Sequence, residues 1–171
     1  MSGSRRKARK VWEQKLRMRA RWPTLEKRDV PDGLAWQGRI RGFQRPYLID
    51  VVWLHRLRRP PSVFVIEPKI APRAAEDFTH IPHLNFNDRD PERSALCLYD
   101  PEGQEWDDSL LIAETMVPWE SEWLHHYELW RFDGVWRGRN APGPISVAEM
   151  RTVRIPRPHG SSRADEGKAD A

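Results

Sequence analysis

The chain contains one cysteine, Cys97, and a polar loop shortly before it contains a histidine, His83, and an asparagine, Asn85. A thiol becomes a strong nucleophile once it is deprotonated, and acyl transfer through a thiol also needs a hydrogen-bond donor for the oxyanion that forms. These residue types at this spacing make Cys97 a candidate nucleophile with Asn85 as a nearby donor. A structural role remains open, because a free cysteine often packs as a small hydrophobic residue.

The same three residues also permit a cysteine hydrolase, in which His83 is the base, Cys97 the nucleophile and Asn85 the group that orients the base. That reaction needs the imidazole within about 3 Å of the sulfur. A metal site built from His80, His83, His125 and His126 is disfavoured because no recognised ligand spacing joins them, and a single cysteine excludes a multi-cysteine zinc site. We therefore expect neither a metal nor a cofactor.

Composition indicates one domain in a reducing compartment. The 171 residues suffice for one core, and one cysteine excludes an intrachain disulfide framework. No run approaches the roughly 20 apolar residues that span a bilayer, and no apolar segment follows the basic N-terminus. We expect a cytoplasmic protein without a membrane partner. The sequence has no phosphate-binding loop, so any carboxyl activation is expected to come from another protein.

The positive charge is concentrated at the N-terminus. Residues 1–28 hold 11 Lys or Arg and two Glu, a net +9, whereas the whole chain has a net charge of +4. Such a segment can bind nucleic acid or an acidic protein, or can form the solvated face of a helix. Because few aromatic residues are interleaved with these charges, we favour a solvated or protein-docking helix over nucleic acid.

Hydrophobic periodicity predicts the elements that carry these residues. A helix is predicted from about Ser4 to Ala20, with Ala8, Val11, Trp12, Leu16 and Ala20 as its buried stripe. Three strands in an antiparallel meander are predicted from residues 34–41, 47–56 and 62–67, followed by a long irregular crossing over residues 68–95. Helices are predicted from Leu110 onward, with Pro118 as a kink or boundary, a Trp-rich core stripe and a stop at Gly134. The fold class is therefore α+β.

Several motifs, taken together, resemble bacterial relatives of the ubiquitin-conjugating (UBC) enzymes over about residues 34–140. In the order of that family's pattern the chain has Pro60-Pro61, Ile81-Pro82-His83-Leu84-Asn85, Ser94-Ala95-Leu96-Cys97-Leu98-Tyr99, Trp106, Pro118-Trp119, Glu122-Trp123-Leu124 and Tyr127-Glu128-Leu129-Trp130. Two departures are the replacement of the family's proline by Leu84 and a longer loop between Asn87 and Ser94. The resemblance implies a UBC-like fold with an N-terminal helix, a β-meander, a long loop carrying the active-site cysteine and C-terminal helices.

The resemblance also implies an activity and partners. Cys97 is expected to accept a protein C-terminus as a thioester and to transfer it to a lysine amine, with Asn85, or Asn87 in a shifted register, as the oxyanion donor and His83 as a buttress of the loop. Standalone relatives occur in short type II cyclic-oligonucleotide-based antiphage signalling (CBASS) operons. The implied partner is a protein with an activated C-terminus, either a cGAS-like nucleotidyltransferase or a ubiquitin-like protein.

The domain prediction combines the motifs with composition. We assign residues 1–33 to a basic helix and linker, 34–155 to the UBC-like catalytic core and 156–171 to a disordered tail.

Five polar residues lie close to Cys97 in sequence and could orient an incoming amine or form a solvated turn: Tyr99, Asp100, Glu105, Asp107 and Asp108.

A non-catalytic UBC-like adaptor, whose thiol is incidental, remains an alternative to the cysteine transferase and the hydrolase.

Overall fold

The computed structural model of the protein describes residues 8–100, 103 and 105–138, and it has an α+β architecture. Helix α1 (Val11–Arg21) precedes four strands, β1 (Glu26–Val30), β2 (Gly33–Arg41), β3 (Pro46–Trp53) and β4 (Ser62–Glu67). A two-stranded hairpin of β5 (Leu84–Asn85) and β6 (Ala95–Leu96) follows, and helix α2 (Met116–Asp133) completes the order. The α+β prediction is confirmed, and this order of elements is consistent with a conjugating-enzyme-like fold.

The main sheet is an antiparallel meander in the order β1-β2-β3-β4. The three predicted strands are present, and their inward side chains, such as Trp36, Ile49 and Val63, belong to the core. The sequence did not predict β1, because its five residues Glu-Lys-Arg-Asp-Val lack alternating apolar positions and four of them are exposed. This edge strand pairs with β2 through its main chain, which requires no apolar side chain.

Helix α1 does not bury the predicted stripe, of which only Val11 packs against the core, and that prediction is wrong. The side chains of Trp12 and Leu16 are 59% and 61% exposed, whereas Gln14 and Met18 are buried. Gln14 holds the helix in place, since its amide nitrogen donates to the carbonyl of Leu110 at 2.7 Å and its oxygen accepts from the N–H of Ile112 at 3.0 Å. These two bonds satisfy main-chain groups that would otherwise be buried without partners. The helix also begins at Val11 and not near Ser4; residues 1–7 lie outside the described part.

The crossing between the main sheet and α2 is largely irregular, as predicted. It contains 3₁₀ turns at Phe78–His80 and Pro91–Arg93, and the β5–β6 hairpin closes it with Leu84 opposite Leu96. Because Leu84 and Leu96 are both buried, the hairpin anchors the segment just before Cys97 in the core. The helix predicted from Leu110 is instead a 3₁₀ turn, Ile112–Glu114, that leads into α2.

Helix α2 forms the second layer and contributes Trp123, Leu124, Tyr127 and Trp130 to the core, as the Trp-rich stripe predicted. Pro118 neither kinks nor divides it, because this residue occupies the first turn, where the missing N–H has no intrahelical partner to lose. The helix ends at Gly134, whose φ of 81° suits glycine, as predicted. One buried residue is unexpected: Glu120 is fully enclosed on this helix.

None of the helices in the described ranges is long and apolar enough to span a membrane. The domain limits at residues 33 and 155 and the disordered tail at 156–171 stay predictions, and the tail lies outside the described residues.

Candidate active site

Cys97 lies at the wall of a cavity of about 440 Å³ between the hairpin segment and α2. The segment from Cys97 to Asp100 forms one side, and α2 contributes Trp119, Glu122, Trp123 and His126 to the other. The charged side chains among the described lining residues are acidic: Asp100, Glu105 and Glu122. The cavity therefore places the chain's single thiol in a site with negative potential, which favours a cationic or neutral ligand over an anionic one.

The main chain of His83 connects Cys97 to α2. The carbonyl oxygen of His83 accepts a hydrogen bond from the N–H of Cys97 at 2.9 Å and another from Nε1 of Trp123 at 2.9 Å. His83 has a φ of 54°, a left-handed conformation that few residues other than glycine adopt and that Asn, Asp and His tolerate best. This backbone geometry at residue 83 therefore sets the position of the thiol relative to the helix.

The thiol of Cys97 is held in its protonated form. Burial raises its pKa, and the nearby carboxylates of Asp100 and Glu105 raise it further. The sulfur lies 3.8 Å from the carbonyl oxygen of Tyr99, to which it donates a weak hydrogen bond. Tyr99 is also partly buried, and desolvation raises its pKa to about 12, so its phenol stays neutral near the thiol. The resting cysteine is a thiol and not a thiolate.

The side chain of His83 does not activate Cys97 in this structure. Its ring lies against Trp136 with centroids 5.0 Å apart, and no hydrogen bond joins it to the sulfur among the residues that the structure describes. Burial lowers the pKa of His83, and the nearby His126 lowers it further, so the imidazole is neutral at pH 7. The histidine thus buries a neutral ring while its main chain orients the cysteine.

Asn85 lies beside the cavity and does not line it. Its side-chain nitrogen donates to the carbonyl of Leu96, the residue before Cys97, at 3.3 Å. The side chain of Asn87 has other partners. Its oxygen accepts hydrogen bonds from the N–H groups of Arg89 and Asp90, and these bonds form a local turn of the kind that asparagine often makes. Of the two, Asn85 is the one whose amide reaches the main chain next to the thiol.

The sequence analysis missed the contribution of α2 to this cavity. Trp119, Glu122, Trp123 and His126 recur at three- and four-residue intervals, so they share one face of the helix. Trp123 belongs to the core, but Trp119 is only partly buried and Glu122 is exposed at the cavity. The signal that would have identified this face is the pair of polar residues, Glu122 and His126, within an otherwise aromatic stripe.

The histidines do not assemble into a metal site. Among the described residues, no group of three or more His, Cys, Asp or Glu side chains is arranged to hold a metal ion. His80 is instead paired with Asp77 in an exposed turn, with 3.0 Å between Nδ1 and the carboxylate.

A protein-family model described as Type II CBASS E2 protein, E2-CBASS, matches residues 14–144 and so includes the cavity and every candidate site residue. The search of curated proteins found no match.

Proposed function

The chain belongs to the Type II CBASS E2 protein family, and from this premise we propose that it carries a partner protein's C-terminal acyl group as a thioester on Cys97 and transfers it to a lysine amine. Family membership gives the chain an E2-like role in CBASS defence and implies protein partners from CBASS operons. The thioester, the acceptor amine and the residues that act on them are parts of the proposal.

The observation that carries the proposal is the single thiol in an acidic cavity. Burial raises the pKa of Cys97, and Asp100 and Glu105 raise it further, so a thiolate is disfavoured; a thioester is uncharged, and these carboxylates do not disfavour it. The same carboxylates attract a lysine ammonium ion, which must approach the thioester before it loses its proton. The electrostatics therefore suit a stored acyl group and an amine acceptor better than an anionic substrate.

The chemistry divides into two acyl transfers. In loading, Cys97 Sγ forms a bond to the activated carbonyl carbon of the partner, the bond from that carbon to the leaving group breaks, and the thiol proton passes to the departing group. In discharge, the amine nitrogen forms a bond to that carbon, the carbon–sulfur bond breaks, and the thiol is regenerated. Both steps pass through an oxyanion, and for the oxyanion of aminolysis we assign the side-chain amide of Asn85 as donor. Asn85 would have to release the carbonyl of Leu96 in order to act.

A cysteine hydrolase is less well supported. Its mechanism depends on an imidazole that deprotonates the thiol, whereas the pKa of Cys97 is raised and the ring of His83 lies against Trp136.

The cargo is proposed to be a protein with an activated C-terminus, with a cGAS-like nucleotidyltransferase as the first choice and a ubiquitin-like protein as the second. The test is to co-express the chain with the proteins encoded beside it and to separate the products on non-reducing gels. We expect an adduct that a reducing thiol removes and that Cys97→Ala abolishes. Cys97→Lys is expected to trap an amide-linked adduct that resists reduction.

The same experiment separates the transferase from an adaptor. An adaptor would retain its partner function in the Cys97→Ala variant and would form no covalent adduct. The absence of a thiol-sensitive adduct in the wild type, or its persistence in Cys97→Ala, would overturn the proposed function.

A further inference from the structure

We propose that His126, paired with Glu122, is a further catalytic residue, the proton acceptor for the amine that attacks the thioester on Cys97. This inference rests on the proposed function and extends it to the face of α2 that lines the cavity across from the thiol. His126 and Glu122 line the same cavity as Cys97, so an amine within that cavity lies between the helix and the sulfur.

The two residues are one helical turn apart and form a pair. His126 Nε2 lies 3.7 Å from Oε1 of Glu122, and the side chain of His126 is 17% exposed whereas that of Glu122 is 62% exposed. Nδ1 of His126 is buried and has no hydrogen-bond partner in the described part of the chain. The pair therefore places a largely enclosed imidazole at the cavity wall, beside an exposed carboxylate.

The surroundings favour His126 over the other histidines as the proton acceptor. His83 lies against Trp136 and its pKa is lowered mainly by burial, so protonating it is unfavourable. His125 packs against Phe43, with ring centroids 4.8 Å apart, and does not line the cavity. The titratable groups around the cavity are Cys97, Tyr99, Asp100 and Glu105 on the hairpin side, His83 on the loop, and Glu122 and His126 on α2.

The proton balance of discharge explains why the site needs such a residue. A neutral amine forms a carbon–nitrogen bond with the thioester carbonyl, and one of its N–H protons passes to His126. The carbon–sulfur bond then breaks with its electron pair on Cys97 Sγ. Since burial and the two nearby carboxylates disfavour a thiolate there, the departing sulfur must take up a proton, and the imidazolium of His126 supplies it. The products are the amide and the thiol, and the imidazole is neutral again.

The test uses the adduct purified from the co-expression described above and measures its discharge by added lysine in a single turnover. General acid–base catalysis contributes about 10²–10⁴-fold, so we expect His126→Gln to slow discharge about 100-fold or more without reducing the amount of adduct that forms. Glu122→Gln changes an exposed side chain and is expected to slow discharge less, in the same direction. His125→Gln is the matched control on the same helix and should discharge like the wild type.

Chemical rescue distinguishes a proton acceptor from a structural residue, because an added base replaces the proton transfer and not the packing of the side chain. Imidazole added to His126→Ala should restore part of the rate with lysine, and imidazole added to the wild type should have no comparable effect. Equal lysine discharge by His126→Gln and the wild type, or a His126→Ala rate that imidazole raises no more than that of the wild type, would overturn the inference while leaving the thioester function intact. A wild type that forms no thiol-sensitive adduct would overturn the proposed function and this inference with it.

Discussion

The main-chain carbonyl of His83 accepts a hydrogen bond from the N–H of Cys97 at 2.9 Å, so the histidine positions the thiol through its backbone and not through its ring. The same oxygen accepts the indole N–H of Trp123, which fixes the loop, the thiol segment and α2 to one another. The left-handed φ of 54° at His83 turns this carbonyl toward both donors. A change at residue 83 therefore affects the site chiefly through the backbone conformation that the new side chain permits.

We predict that the backbone preference of residue 83 dominates its effect on stability. His83→Asn keeps a residue that tolerates positive φ, whereas His83→Val introduces a β-branched residue that does not. Strain of this kind costs about 1–3 kcal/mol, so His83→Val should be less stable than His83→Asn by about that amount. Urea unfolding measures the difference. Equal losses in both variants would show that the ring contact with Trp136, which both remove, is the main contribution.

Asn85→Ala is expected to slow aminolysis of the Cys97 thioester much more than it slows thioester formation. Loss of one oxyanion donor costs about 2.7–4 kcal/mol, or about 10²–10³-fold in rate. Discharge of the purified adduct by lysine is the measurement, and Asn87→Ala is the control because its side chain only supports the turn at Arg89 and Asp90. If Asn85→Ala discharges at the wild-type rate, the amide serves only to hold the carbonyl of Leu96.

The acidic residues of the cavity are expected to suppress the reactivity of the free thiol. Asp100→Asn and Glu105→Gln each remove a negative charge that raises the pKa of Cys97, so the pKa should fall and the thiolate fraction at pH 7.5 should rise. The rate of alkylation by iodoacetamide as a function of pH measures this pKa. Asp88→Asn, which changes an exposed acid of the preceding loop, is the control. Slower alkylation in the two cavity variants would contradict the electrostatic account.

Glu120 is expected to make the protein less stable as pH rises. Neither carboxyl oxygen has a hydrogen-bond partner among the described residues, and complete burial raises the pKa of this group well above its usual value. Above about pH 4.3 the unfolded chain releases this proton while the folded protein keeps it, so this group's contribution to stability falls with increasing pH until the raised pKa is reached.

Glu120→Gln tests this linkage because it removes the titration and keeps the shape of the side chain. Its free energy of unfolding relative to the wild type should increase from pH 5 to pH 8, by at most about 1.4 kcal/mol per pH unit. Glu26→Gln, at an exposed position of β1, is the control. A constant difference between Glu120→Gln and the wild type across this range would show that the carboxyl ionises normally.

The exposed face of α1 is expected to dock an acidic protein surface. The notable features of this face are the exposed Trp12 and Leu16 among exposed basic residues such as Lys15 and Arg19. Reversal of charge in the double variant K15E/R19E should slow adduct formation with the partner, most strongly at low salt, while alkylation of Cys97 stays unchanged. Arg9 is a poor choice because its side chain supports the fold through the carbonyl of Ser109.

The sequence assigns protein docking to Arg5, Arg6, Lys7, Arg9 and Lys10, of which the first three lie outside the described residues. The same reversal applied to Arg5, Arg6, Lys7 and Lys10 extends the test. Unchanged adduct formation in both sets would contradict protein docking. Tight binding to duplex DNA or RNA that weakens steeply with salt and is lost on charge reversal would instead establish nucleic acid as the ligand.

Local periodicity and residue type were enough to predict the class of fold, the strands β2 to β4, the core face of α2 and the candidate thiol. The ends of β4 before Pro68 and of α2 at Gly134 could also be predicted, since proline and glycine act on the backbone locally. The resemblance in the motifs around His83 and Cys97 indicated the family that the match over residues 14–144 supports.

Only the tertiary structure decided which side chains meet at Cys97. His126 and Glu122 are distant from Cys97 in sequence, and the packing of α2 against the hairpin brings them to the same cavity. Tertiary packing also decided which face of α1 is buried. Gln14 forms hydrogen bonds with the main chain at Leu110 and Ile112, and the stability that they provide outweighs the cost of exposing Trp12 and Leu16. Buried polar groups require partners that lie far apart in the chain, and a one-dimensional pattern of hydrophobicity carries no information about those partners.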